Sequence, residues 1–126
     1  MTCQKGTFRW MAPELFRESA DKKTIYSNKC DVYSFAVVLW EILCRRIPFE
    51  GMEDYQVYDA VFKEHKRLPL IQNCPEILSQ LIFDCWKEEA EDRRSFQDIV
   101  DILQNIFSKC RVDDIVDLNL KEVEGK

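Results

Sequence analysis

Apolar residues crowd most densely between Asp31 and Leu43, where ten of thirteen positions are apolar. Wound at 3.6 residues per turn, they occupy nearly the whole circumference, which predicts a central helix buried on all sides. Thirteen residues rise only about 20 Å, short of the roughly 20 residues a membrane span requires.

On either side the pattern is broken into shorter pieces. Residues 1–11 show no periodicity and read as an extended loop. Ala12-Pro13-Glu14 starts a short helix to about Arg17, with Pro13 in the first turn, where its missing N–H does no harm. The polar stretch Glu18 to Asn28 is a loop into the central helix. Arg45-Arg46 complement the macrodipole at its end, and Pro48 prevents continuation.

After a turn at Gly51, Glu53 to Lys63 reads as a helix with Tyr55, Tyr58, Val61 and Phe62 on one side, stopped by Leu68-Pro69-Leu70. Pro75 opens another, whose stripe is Ile77, Leu78, Leu81, Ile82, Cys85 and Trp86. The charged turn Lys87 to Arg94 leads to a last helix starting at Ser95, with Asp98 three residues on as a capping-box variant. Its expected buried face is Phe96, Ile99, Val100, Leu103, Ile106 and Phe107. No strand pattern occurs. The expectation is one all-α unit, about five helices around a central buried helix, spanning 1–110 with an acidic tail at 111–126.

Composition narrows the function classes. With 46% hydrophobic and 33% charged residues the chain is a globular type, and its net charge of −5 gives no field for nucleic acid or an anionic membrane. The run Lys63, Lys66, Arg67 beside His65 is interrupted by Glu64 and reads as a solvated helix end. Six cysteines without a C-x-x-C pair, and one histidine with no cysteine within eight residues, exclude a zinc site. No secretory signal opens the sequence, so reduced thiols in the cytoplasm are expected.

Candidate chemistry comes from three stretches. Gly6-Thr7-Phe8-Arg9-Trp10-Met11-Ala12-Pro13-Glu14 resembles the end of the activation segment of eukaryotic protein kinases, which closes on Ala-Pro-Glu. Asp31 to Glu41 is similar to the central helix of the kinase large lobe, and Cys85-Trp86 with Arg93-Arg94-Ser95-Phe96 to the junction of its last two helices. Together they cover roughly residues 4 to 110, and Gly6-Thr7 places the likeness closest to the tyrosine-kinase-like serine/threonine group.

The resemblance implies roles residue by residue. Thr7 would bridge the catalytic aspartate and lysine of a catalytic loop, and Phe8, Arg9, Trp10 and Met11 would receive the substrate residue after the phosphoacceptor, Trp10 as a wall. Glu14 would form a buried ion pair with Arg93, tying Ala12-Pro13-Glu14 to the helical base. Asp31 would accept backbone N–H bonds from the catalytic loop, and the hydrophobic spine would rest on Val38 and Ile42. Ala36 stands where glycine is usual, Ala90 and Arg94 where proline is usual. Arg94 beside Arg93 leaves open which guanidinium meets Glu14.

Kinase chemistry needs a glycine-rich loop, a strand lysine, a catalytic aspartate and metal ligands. The only glycines are Gly6, Gly51 and Gly125, none preceded by phenylalanine, and His65 is followed by Lys66-Arg67. No catalytic or metal-binding residue is therefore expected in this chain, and no cofactor bound by it; ATP and magnesium are implied for the full-length family member. The expectation is a C-terminal part of a serine/threonine kinase, cut within the activation segment, acting on a protein substrate or regulator. The alternative is a noncatalytic kinase-derived interaction module. Without the catalytic loop, the central helix is expected to expose an apolar patch and to self-associate.

Overall fold

The computed structural model describes residues 8–16 and 27–109. They are helical, with no strand among them, in the order α1 (Asn28–Cys44), α2 (Asp54–Tyr58), α3 (Glu76–Cys85) and α4 (Phe96–Lys109), with 3₁₀ turns at Phe8–Trp10, Pro13–Phe16 and Ala90–Asp92. The described residues fall into two units, one ending at Ser95 and one beginning at Phe96. The loop expected at Glu18 to Asn28 lies mostly outside the described residues, as do Arg17 and the tail 111–126; Asn28 itself is helical.

α1 starts three residues earlier than its apolar run. Ser27, extended at φ −133° and ψ 170°, caps it by accepting the Lys29 N–H at 3.2 Å. The helix ends where Arg45 turns left-handed (φ 55°) and donates its N–H to the Glu41 carbonyl at 2.8 Å, a conformation unusual for a residue with a side chain. Cys30, Val32, Tyr33, Ala36, Val37 and Trp40 are buried, but Val38 is 40% and Ile42 63% exposed. The expected all-round burial is thus corrected. Asp31, Val38 and Ile42 stand at i, i+7 and i+11, one stripe along the helix, and that stripe is open.

The helix expected at Glu53 to Lys63 is two pieces. The Glu53 N–H donates to Gln56 Oε1 at 2.7 Å to begin α2, which passes at Asp59 into a π-helical turn, Asp59–Lys63. Val57, Ala60 and Val61, at i, i+3 and i+4, are buried, while Tyr55, two residues before Val57 and so turned to the other side, is 66% exposed. The inward face therefore runs through Val57 and not through Tyr55, which corrects that expectation.

Pro75 caps α3 rather than opening it, and α3 packs on α1. Of the expected stripe, Leu81, Ile82, Cys85 and Trp86 are buried, whereas Ile77 is exposed at the first turn. In the second unit, α4 buries Ile99; Phe96, Val100 and Phe107 of its expected buried face are exposed. An amphipathic pattern gives the direction of a helix face but not how much of its length is covered.

Candidate functional site

Phe8 to Phe16 is held to the first unit by main-chain acceptors and aromatic rings. Arg9 donates from Nη1 to the carbonyls of Pro48 (2.9 Å) and Phe49 (2.5 Å), and from Nη2 to that of Met52 (2.6 Å). The turn supplying them contains two left-handed residues, Phe49 (φ 54°) and Gly51 (φ 87°). A side chain at Gly51 would be strained by that φ although nothing crowds it. Phe16 stacks between neighbours, with centroids 5.2 Å from Phe8 and 5.4 Å, edge-on, from Tyr58.

Two polar exceptions in α1 fix the next residue. Trp10 Nε1 donates to Glu41 Oε1 at 3.1 Å, and Ser34 Oγ donates to the Trp10 carbonyl at 2.7 Å. Ser34 and Glu41 are seven apart and so share one side of the helix. That spacing of polar residues inside an apolar run was the signal that could have found them. Met11, Ala12 and Pro13 follow, all buried.

Glu14 then meets Arg93, which answers the question the two adjacent arginines left open. Arg93 Nη1 donates to Glu14 Oε2 and Nη2 to Oε1, each at 2.7 Å, a two-pronged ion pair. The other N–H groups go to the carbonyls of Lys87 (2.8 Å), Lys29 (3.0 Å) and Glu88 (3.3 Å), so all five guanidinium donors are used. Lys29 Nζ returns a bond to the Arg93 carbonyl at 2.7 Å. Arg94 instead meets Asp84, which also accepts from Gln80 Nε2 at 2.9 Å.

Behind the ion pair sits Tyr33, with the Arg93 and Arg67 guanidinium carbons 5.2 and 5.3 Å from its ring centre. Burial pushes its hydroxyl up to about 12, against the pull of both guanidinium groups. Arg67 donates to the Trp86 carbonyl at 2.8 Å and pairs with Glu88 at 3.1 Å. It therefore belongs to this cluster and not to a solvated helix end, unlike its exposed neighbours Lys63, His65 and Lys66.

The Glu14 carboxyl is pushed up by burial, but the Arg93 hydrogen bonds, its own backbone N–H, the Arg93 charge and the Cys30 thiol outweigh this and hold it below its ordinary 4.5. A folded-state value below the unfolded one stabilises the fold fully above about pH 4.5 and is lost as pH falls through the lowered value. Glu14→Gln should therefore be less stable than the parent near pH 7, with the gap narrowing as the pH falls below about 4.5. Urea midpoints across that range measure it, and a constant gap would contradict it.

Thr7 lies outside the described residues. Phe8, Arg9, Trp10, Met11, Ala12, Pro13, Glu14 and Arg93 run along α1, from Trp10 at Glu41 and Ser34 to Glu14 and Arg93 at Cys30 and Lys29 in its first turn, while Asp31, Val38 and Ile42 lie on the open stripe. Lys29, Ser34, Tyr33, Glu41 and Asp84 are participants that the sequence pattern did not single out, and Arg67 joins them in place of the solvated helix end expected for it.

Comparison with known proteins bears on this arrangement. The family model described as protein tyrosine and serine/threonine kinase matches residues 1–103. Mitogen-activated protein kinase kinase kinase 7 of Drosophila melanogaster is 41% identical over 107 residues, 84% of this chain and 15% of that protein. Serine/threonine/tyrosine-protein kinase HT1 of Arabidopsis thaliana is 41% identical over 105 residues, 83% of this chain and 25% of its own. The Homo sapiens mitogen-activated protein kinase kinase kinase 7 is 39% identical over 109 residues, 85% of this chain and 17% of its own. The chain thus spans a quarter or less of the length of these relatives.

Proposed function

We propose that this chain, which belongs to the protein tyrosine and serine/threonine kinase family, provides the substrate-facing loop and helical base of a serine/threonine kinase of the tyrosine-kinase-like group. The observation that carries this reading is the fixing of Phe8 to Met11. Three carbonyls hold Arg9, two α1 side chains hold Trp10, and the Glu14–Arg93 pair closes the far end. A loop so held presents a fixed surface, which is what positioning a protein hydroxyl for phosphoryl transfer demands. In this reading Phe8 to Met11 receive the substrate residue beyond the phosphoacceptor and Thr7 reaches the catalytic groups. The open stripe Asp31, Val38, Ile42 seats the catalytic loop and spine.

The family uses ATP and magnesium, but the residues present do not fit that group. Among the described residues no cluster of three His, Cys, Asp or Glu is arranged for a metal, and the sequence holds no glycine-rich loop. No phosphoryl-transfer step is therefore assigned to this chain's side chains. Residues 1–110 form the kinase part and 111–126 a tail in this reading, acting in the cytoplasm on a protein substrate or regulator. Left uncovered, Val38 and Ile42 favour self-association. No helix among the described residues is long and apolar enough to cross a membrane.

The test is a chimera of the Drosophila relative in which residues 1–110 replace the matched segment. It should phosphorylate protein serine or threonine, Trp10→Ala in it should raise the substrate KM more than it lowers kcat, and the isolated 126-residue chain should give no saturable heat with magnesium-ATP. A folded chimera that binds ATP yet transfers nothing to protein would overturn the reading in favour of a noncatalytic interaction module.

A further inference from the structure

Two half-buried thiols, Cys44 and Cys74, play no part in the site above, and both are free. Cys44 is the last residue of α1, and Cys74 immediately precedes Pro75, the cap of α3. The two helices pack with opposite ends together. At one end, Lys29 in the first turn of α1 bonds the Arg93 carbonyl and through its own carbonyl accepts from the Arg93 guanidinium, which also donates to the carbonyl of Lys87, two residues past Cys85 at the end of α3. At the middle, Trp40 donates to the Pro69 carbonyl at 2.8 Å and shares a small cleft with Ile71, Ser79 and Ile82. One turn beyond Trp40 on the same side of α1 is Cys44, and one turn before Ser79 on α3 is the Cys74–Pro75 corner. The remaining shared end is therefore where the two cysteines stand.

We propose that Cys44 and Cys74 are a peroxide-sensitive pair that closes into a disulfide stapling the C-terminal end of α1 to the N-terminal end of α3. A disulfide requires Cα atoms within about 7 Å, an approach that one shared end of packed helices allows and that a pairing across ends, such as Cys44 with Cys85, does not. Burial pushes the Cys44 thiol up, Arg46 draws it back, and Cys74 raises it further. The chemistry balances with hydrogen peroxide as oxidant. One thiol gives up its proton and attacks a peroxide oxygen as thiolate; the O–O bond breaks, the departing hydroxide takes up that proton as water, and a sulfenic acid remains. The second thiol, likewise deprotonated, attacks that sulfur, forming the S–S bond and breaking S–O, and its proton leaves with the hydroxide as a second water.

Glutamate-specific cleavage separates the relevant thiols, because Glu41 lies between Cys30 and Cys44, and Glu76 between Cys74 and Cys85. After hydrogen peroxide treatment of the whole folded chain and alkylation of remaining thiols, the main cross-linked species by mass spectrometry should join Ile42–Glu50 to His65–Glu76. It should disappear on reduction, and the same oxidation in urea should instead give mixed pairings. Full alkylation of both peptides after peroxide, or Cys44 joined to Cys85 or Cys110 as often as to Cys74, would overturn the proposal.

Discussion

Arg93→Ala should cost about 3–5 kcal/mol of folding stability, the range for removing one partner of a buried ion pair. Whole domains hold only about 5–15 kcal/mol, so this single change should remove a large share of the total. Arg93 is 3% exposed and satisfies both Glu14 oxygens and three carbonyls. Alanine would leave all of those acceptors without their donor. Arg93→Lys should recover only part of the loss, since an ammonium offers three donors and no fork. Arg94→Ala, beside it, removes a partly exposed guanidinium from Asp84, which retains Gln80, and should cost much less. Urea unfolding followed by circular dichroism separates the three; equal losses for Arg93→Ala and Arg94→Ala would refute the assignment.

That contrast marks what the sequence could tell about the site. The nine-residue string ending in Glu14 pointed to an ion pair with the Arg93-Arg94 dipeptide, because the family pattern carries both halves. It could not choose between adjacent guanidinium groups. The choice is made by the main chain: the carbonyls of Lys87 and Glu88 and that of Lys29 converge on one of them. Carbonyl directions depend on how the 87–93 turn folds against α1, which no side-chain pattern encodes. Arg67 was misjudged for the same reason, since its partners are the Trp86 carbonyl, Glu88 and the Tyr33 ring, distant in sequence.

Helix positions were largely legible, because Pro48, Pro75 and the apolar spacing punctuate the chain. Faces were less so. Where α3 carries a two-residue-wide stripe, most of it is buried; where α1 is apolar almost all round, periodicity has no contrast to report. The α2 segment carries apolar residues on two sides, Tyr55 and Tyr58 on one and Val57, Ala60 and Val61 on the other, so spacing alone could not choose the inward one.

The buried side of α1 gives the second large effect. Trp40→Ala should cost about 3–5 kcal/mol, the range for truncating a buried aromatic. Trp40 is 3% exposed, and its indole N–H anchors the Pro69 carbonyl at 2.8 Å, so alanine leaves both a cavity and an unmet acceptor between α1 and the segment leading to α3. Trp40→Phe keeps most of the ring volume and loses the hydrogen bond, so it should fall between alanine and the parent. Ile42→Ala, two residues along on the open stripe, should change stability by no more than about 0.5 kcal/mol, as expected for an exposed substitution. Both positions are large apolar residues within one apolar run; only the side of the helix distinguishes them. A thermal or urea series over these three variants therefore reads out which face α1 turns to its own core. If Ile42→Ala proved as costly as Trp40→Ala, the stripe Asp31, Val38, Ile42 would be covered within this chain, and no face would remain on which a catalytic loop could sit.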